Sequence, residues 1–324
     1  MSNNKNRDTI IIGSRKSQLA MVQTESVMKS LQELHPNLKF EIKTMDTVGD
    51  RVLNVALSKI GDKGLFTKEL EDLMLSGHID IAVHSLKDLP TKFPEGLSLG
   101  AITKRENCFD AFIAHPKYGK DARLSSMPEG AVIGSSSLRR VSQLKRAYPQ
   151  LQFKDIRGNL NTRFNKLETS GEYDGMILAV AGLERLGWTD RITEVLQPEV
   201  SLYAVGQGAL GIECRSDDEF VQSLLAPLNH YETAQCCAAE RAMLRELEGG
   251  CHVPIGVNTT LEQNNSILSI EGVVLSLDGT KSIRLSHRGE IDQPEIVGKQ
   301  LALMLKEKGA TEILAELAAT VQNS

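Results

Sequence analysis

Two glycine turns, Gly13-Ser14-Arg15-Lys16-Ser17 and Gly134-Ser135-Ser136-Ser137, each follow a short apolar run, I-I-I-G and A-V-I-G. Where a strand feeds a helix, free backbone N–H groups, the positive helix end and serine hydroxyls make a ready anion site. Serine N-capping accounts for either turn alone. Two turns at matching positions of a repeat put the anion site level with simple capping, and both readings stand. Arg15, Arg139, Arg140, Arg157, Arg163 and Arg185 all fall at expected strand ends or helix starts. Arginine forks grip carboxylates two-pronged, each charged hydrogen bond contributing about 1.5–3 kcal/mol. A solvated helix face explains Arg146 or Arg191 equally well, and the strand-end positions less well.

Ser85-Leu86-Lys87-Asp88-Leu89-Pro90 follows the strand-like run I-A-V-H. A carboxylate beside a lysine at a strand end is either a structural ion pair or an acid/base group, and both readings stand. His84 reads as a packed strand residue. Of the five cysteines, Cys236 and Cys237 sit inside a helical pattern and read as packing residues, while Cys108 and Cys214 have no distinctive setting. Cys251 differs, because Gly249-Gly250 precede it and Val253-Pro254 follow it closely. A loop thiol so placed suits covalent chemistry. A tight turn with an incidental thiol remains the alternative.

The elements that must position these residues repeat. Each half reads strand, glycine turn, helix, strand, helix, G-x-x-D, strand, with Gly77-His78-Ile79-Asp80 answering Gly171-Glu172-Tyr173-Asp174. That is a βαβ series with mostly parallel strands. The first copy carries a glycine- and lysine-rich insertion, residues 47–66, which is either a functional lid or a plain surface connection. Beyond Gln207-Gly208 the pattern changes. A helix is expected over 231–248, then alternating runs with Asp278-Gly279 as a hairpin turn, then one helix from about Pro294 to Ala319.

At 324 residues, 41% apolar and 24% charged, the chain is an ordinary globular protein of two or three domains. No apolar run is long enough for a membrane span, and the first residues lack a signal core. An odd cysteine count with no C-x-x-C argues against a disulfide framework or a structural zinc site. The net charge is −5, yet residues 123–191 carry 11 Lys+Arg against 7 Asp+Glu. An acidic chain with a basic middle is a poor nucleic-acid binder and suits an anionic small molecule.

Taken together, several stretches resemble the porphobilinogen deaminase (hydroxymethylbilane synthase) family. They are IGSRKSQLA (12–20), KGLFTKELE (63–71), DIAVHSLKDLP (80–90), IGSSSLRR (133–140), RGNLNTR (157–163), ILAVAGLERLG (177–187), AVGQGALGIECR (204–215) and LEGGCHVPIGV (247–257). The resemblance implies an α/β fold: two duplicated periplasmic-binding-protein-like βαβ domains plus a small α+β C-terminal domain. It places domain 1 at 7–103 with 209–226, domain 2 at 109–202 and domain 3 at 231–324. It implies a transferase that joins four porphobilinogen molecules head to tail, with loss of ammonia, into hydroxymethylbilane for haem biosynthesis. One dipyrromethane cofactor per chain would be bonded through a thioether to Cys251. Asp88 would be the catalytic carboxylate. Lys87, Ser137, Arg139 and Arg140 would hold the cofactor, and Arg15, Ser17, Arg157, Arg163 and Arg185 the substrate or growing chain. Residues 47–66 would form a flap bearing Lys59, Lys63 and Phe66. No metal, nucleic acid or membrane is implied, and the expected form is a cytoplasmic monomer.

Small departures from the family pattern are Gln18, Ser135 and His252, none at an implied catalytic position. A non-catalytic anion-binding module of periplasmic-receptor type would explain the repeat, the turns and the arginines. It leaves Cys251 and the C-terminal region without a purpose.

Overall fold

The structure, a computed structural model, describes residues 7–47, 67–247 and 253–322. The first stretch of chain forms β1 (Thr9–Arg15), α1 (Gln18–Leu34), β2 (Lys39–Met45), α2 (Lys68–Leu75), β3 (Ile81–Ser85) and β4 (Leu97–Ile102). Next come β5 (Asp110–Ala114), β6 (Val132–Gly134), α3 (Leu138–Ala147), β7 (Gln152–Lys154), α4 (Leu160–Thr169), β8 (Gly175–Ala179), α5 (Val180–Arg185) and β9 (Glu194–Leu196). They are followed by β10 (Leu210–Arg215), α6 (Glu219–Leu225) and α7 (Tyr231–Glu246). The chain closes with β11 (Ile255–Glu262), β12 (Ile267–Leu275), β13 (Ser282–Glu290), α8 (Pro294–Leu305) and α9 (Thr311–Gln322).

Residues 7–47, 67–105 and 209–234 make one compact unit, and 106–208 with 235–322 make a second. The first unit holds a five-stranded sheet in the order β2-β1-β3-β10-β4. β1 runs parallel to β2 and β3, while β10 is antiparallel to β3 and β4. β1 carries Ile10 and Ile12 into one core with Val27 and Leu31 of α1 and Val221 and Leu225 of α6. The opposite face takes Leu70 and Met74 of α2. The i, i+3, i+4 spacing of Ala20, Gln23, Thr24, Val27 and Leu31 gives α1 its buried stripe. Pro36, just past the helix end, prevents its continuation.

The second unit repeats the plan in the order β7-β6-β8-β5-β9, again with one strand, β5, antiparallel to the others. α3 packs on one face through Leu144, and α4 on the other through Phe164 and Leu167. The duplication extends to single bonds. Asp80 Oδ2 accepts from Ile11 N at 2.9 Å in one unit, and Asp174 Oδ2 from Val132 N at 2.8 Å in the other. The G-x-x-D motif therefore clamps the first half of β1 and of β6, the strands that lead into the glycine turns. Its glycines, Gly77 at φ 74° and Gly171 at φ 69°, occupy the left-handed region that glycine enters without strain.

The second unit also contains the antiparallel sheet β11-β12-β13, with α7 and α8 packed over it through Met243, Leu301 and Leu305. Asp278-Gly279 makes the β12–β13 turn, Gly279 at φ 76°. The Asp278 carboxylate accepts from the Ser276 hydroxyl and from the backbone and hydroxyl of Thr280, which brings its pKa down to about 2. The single C-terminal helix expected over 294–319 is two. α8 stops at Leu305, the chain makes a wide turn over Lys306–Ala310 with Gly309 at φ 103°, and α9 restarts at Thr311.

Candidate anion and cofactor site

In the first unit, Arg15 ends β1 and Ser17 caps α1, its hydroxyl accepting from Ala20 N at 3.4 Å. Ser14, by contrast, is buried and accepts from the Thr24 hydroxyl at 2.8 Å, a structural tie. Lys87 and Asp88 lie on a short 3-10 turn, Leu86–Asp88, directly after β3. Leu86 and Leu89 are buried on either side of them, and Leu86 N donates to Ala209 O at 3.0 Å. With apolar anchors before and after, the turn holds Asp88 out into solvent and leaves Lys87 half-buried. His84, one strand position back, is buried with its Nε2 3.2 Å from Glu213 Oε2.

In the second unit, Ser137 stands at the N-cap position of α3 but makes no side-chain capping bond. Simple capping therefore explains Ser17 and does not explain Ser137. Ser135 accepts from Ser137 N at 3.3 Å, and Ser136 donates to Ile156 O at 3.0 Å. Arg139 and Arg140, in the first turn of α3, both turn inward onto Asp110. Arg139 Nη1 donates to Asp110 Oδ2 at 2.7 Å and to Leu202 O at 2.6 Å. Arg140 reaches Asp110 Oδ1 through Nη2 at 2.7 Å and Nε at 3.0 Å, and Ile177 O through Nη1 at 3.0 Å. Burial alone would push the Asp110 carboxyl up. The two guanidinium groups outweigh it and hold it well below the usual carboxylate range. Two cations on one anion leave a surplus positive charge inside the unit.

The other arginines of the second unit are set individually. Arg157 follows β7, and its Nη1 is buried with no hydrogen-bond partner among the described residues. Arg163 Nε donates to Gly158 O at 2.8 Å, next to Asn159, whose side chain caps α4 by accepting from Thr162 N at 2.9 Å. Arg185 ends α5 and donates to Gly208 O at 2.6 Å; burial lowers its pKa, with Glu106 and Glu184 opposing. Cys251, Lys59, Lys63 and Phe66 lie outside the described residues.

Two buried members of this constellation, Asp110 and Gln207, were not picked out by residue spacing. Gln207 donates to Cys108 O at 2.7 Å and to Asp110 Oδ1 at 2.9 Å. The available signal was Asp110 itself, a lone acid opening the apolar strand D-A-F-I-A, where an unpaired charge is too costly to bury.

Residues 10–223 match the family description "Porphobilinogen deaminase, dipyromethane cofactor binding domain", and residues 234–307 match "Porphobilinogen deaminase, C-terminal domain". The chain belongs to the porphobilinogen deaminase family. Porphobilinogen deaminase of Dictyostelium discoideum is 64% identical over 98% of this chain and 99% of its own length. That of Synechococcus elongatus is 58% identical over 97% of each. Among solved structures, the BvgS VFT2 domain of Bordetella pertussis gives a TM-score of 0.41 at 15% identity, covering 67% of this chain and 85% of that one. The aliphatic sulphonate binding protein SsuA of Escherichia coli gives 0.38 at 13%, covering 74% and 75%. Those two likenesses are too loose to bear on function.

A porphobilinogen deaminase carries a dipyrromethane cofactor, whose rings bear carboxylates. The second unit fits such a group on its own evidence: a surplus cation at Arg139, Arg140 and Asp110, and an Arg157 Nη1 with no acceptor among the described residues, open to the carboxylates of such a group or of a chain growing from it. Among the described residues no helix is long and apolar enough to cross a membrane.

Proposed function

We propose that this chain is a transferase that joins four porphobilinogen molecules head to tail into hydroxymethylbilane, releasing ammonia at each addition, in tetrapyrrole biosynthesis. The observation that carries the reading is family membership over nearly the whole chain, at 64% identity to a deaminase of almost equal length. A non-catalytic anion-binding module is not favoured, because both matched regions are those of the enzyme.

When bound, the dipyrromethane supplies the pyrrole carbon to which the first substrate is joined. In this reading Cys251 bonds it through sulphur, and Lys87, Ser137, Arg139 and Arg140 hold its carboxylates. Arg15, Ser17, Arg157, Arg163 and Arg185 hold the incoming or growing chain, and Lys59, Lys63 and Phe66 belong to a covering flap. Every pyrrole adds an acetate and a propionate, so a dense arginine lining is what the product requires. Asp88, displayed on its turn, delivers a proton to the departing amine, and its carboxylate then stabilises the electron-poor ring left behind. The exposed setting of Asp88 supports this role, since a group buried in an ion pair could not exchange protons with successive substrates.

Residues 7–103 with 209–226 form the domain of Asp88, 109–202 the arginine-rich domain, and 231–324 the domain of Cys251. In this reading the enzyme works as a cytoplasmic monomer without membrane or nucleic acid, and the net charge of −5 supports the last of these. Intact-protein mass tests the whole scheme. The purified enzyme is expected to exceed its polypeptide mass by two linked pyrroles, and Cys251→Ser to remove the increment. Asp88→Asn is expected to stay folded and loaded while turnover falls by about 10²–10⁴-fold; near-normal turnover removes Asp88 from its role.

A further inference from the structure

We propose that Asp110 is a positioning residue for the reaction, the buried counterion that fixes Arg139 and Arg140 as a preset cationic pair facing the anionic cofactor. This rests on the function proposed above. Asp110 is fully buried, and its two oxygens gather Arg139, Arg140 and the Gln207 amide. Each guanidinium is also tied to a backbone carbonyl, Leu202 O for Arg139 and Ile177 O for Arg140. Their planes are thereby held from two sides. Arginines fixed this way act without paying ordering entropy when an anion arrives, which is the condition for effective electrostatic stabilisation.

The duplicated fold supplies an internal control. Gly13 pairs with Ala82 in the first sheet as Gly134 pairs with Met176 in the second. Counting from that register, Ser85 and Ala179 are equivalent, and so are their antiparallel partners, Leu210 and Asp110. The same site of the same sheet is a buried leucine in one unit and a buried carboxylate in the other. The architecture therefore does not require an acid there. Burying one costs several kcal/mol unless it is paired, and the acid occurs in the unit whose next helix opens with two arginines. One carboxylate against two guanidiniums neutralises half their charge and leaves a net positive charge at the start of α3.

Asp110→Asn tests this, because the amide keeps the shape and loses the charge. In the purified enzyme the measurements are intact mass, melting temperature, KM for porphobilinogen, and kcat per cofactor-loaded site. The expected result is a folded variant whose kcat per loaded site falls by about 10²-fold, with KM changed by no more than about twofold. A purely structural role lowers melting temperature and yield and leaves kcat per loaded site intact. Should Asp110→Asn fail to fold, Gln207→Met removes one donor to the same carboxylate while keeping both arginines. Its expected loss in kcat per loaded site is about tenfold, one hydrogen bond's worth. Wild-type kcat per loaded site in the folded Asn variant, or in Gln207→Met when that variant must stand in, overturns the proposal. A wild-type enzyme with no added mass overturns instead the function on which it rests.

Discussion

Asp110 and Glu71 are both buried carboxyls, and their surroundings push them in opposite directions. For Asp110, Arg139 and Arg140 outweigh burial and depress the pKa. A depressed acid contributes stability that is complete above its unfolded value, about 3.9, and lost as pH falls through the folded one. The destabilisation of Asp110→Asn relative to wild type is therefore expected to be constant from neutral pH to about pH 4 and to shrink only in stronger acid. For Glu71, on α2, burial is the largest influence and raises the pKa; the Thr67 hydroxyl lowers it, Glu213 raises it and His84 lowers it. A raised acid works the other way: the folded state binds the extra proton, so stability declines as pH climbs through the raised value. Glu71→Gln is accordingly expected to melt higher than wild type above that value and to match it near pH 4. Melting curves of the two proteins from acid to mildly alkaline pH check this. A variant that melts lower at alkaline pH than in acid, relative to wild type, would refute the assignment.

At the scale of elements, the duplicated strands show what could be read from residue order. The glycine turns, the helices that follow them and the G-x-x-D strands were legible because each depends on local chemistry: a cap, a positive φ, a period of apolar residues. The pairing of Asp110 with Arg139 and Arg140 was not, because its partners lie 29 and 30 residues away and meet only once the sheet is assembled. The first unit has its own such pair. His84 and Glu213 are buried together where the sister positions of the second unit, Leu178 and Ile113, are aliphatic. Each copy thus carries a polar contact at a different point of one frame, where the other copy is apolar. The break at Gly309 was likewise hidden, since a lone glycine in a helical pattern is usually tolerated. Close packing of α8 on α7 gives a sharper test. A Cβ built on Gly298 meets the Ala239 carbonyl oxygen at 2.0 Å, backbone against backbone. Gly298→Ala is expected to cost about 1–3 kcal/mol or more in a urea melt. Ile296→Ala, on the exposed side of the same helix, is expected to stay within about 0.5 kcal/mol. Equal stability of the two variants contradicts the helix contact.

Across the whole molecule, the charge is divided by role. A net −5 chain keeps a local positive excess in residues 123–191, the segment that supplies Arg139, Arg140, Arg157, Arg163 and Arg185. A cationic lining without its anion is a source of self-repulsion, so cofactor loading and stability are linked: a ligand held only by the folded state stabilises it. The loaded enzyme is expected to melt above Cys251→Ser by several degrees, about 2–4 °C for each kcal/mol gained in a domain of 150–250 residues. Arg157 makes the argument specific. Its Nη1 is buried without an acceptor among the described residues, which costs the bare protein the desolvation of a charged donor. In the Cys251→Ser background, Arg157→Ala is therefore expected to leave the melting temperature unchanged or raise it. In the loaded enzyme with porphobilinogen bound, the same substitution removes a proposed partner of the growing chain's carboxylates, and the melting temperature is expected to fall. The two signs come from one side chain, and their difference is a coupling energy between Arg157 and the tethered anion. Equal shifts in both backgrounds would show that the arginine and the tethered chain do not meet.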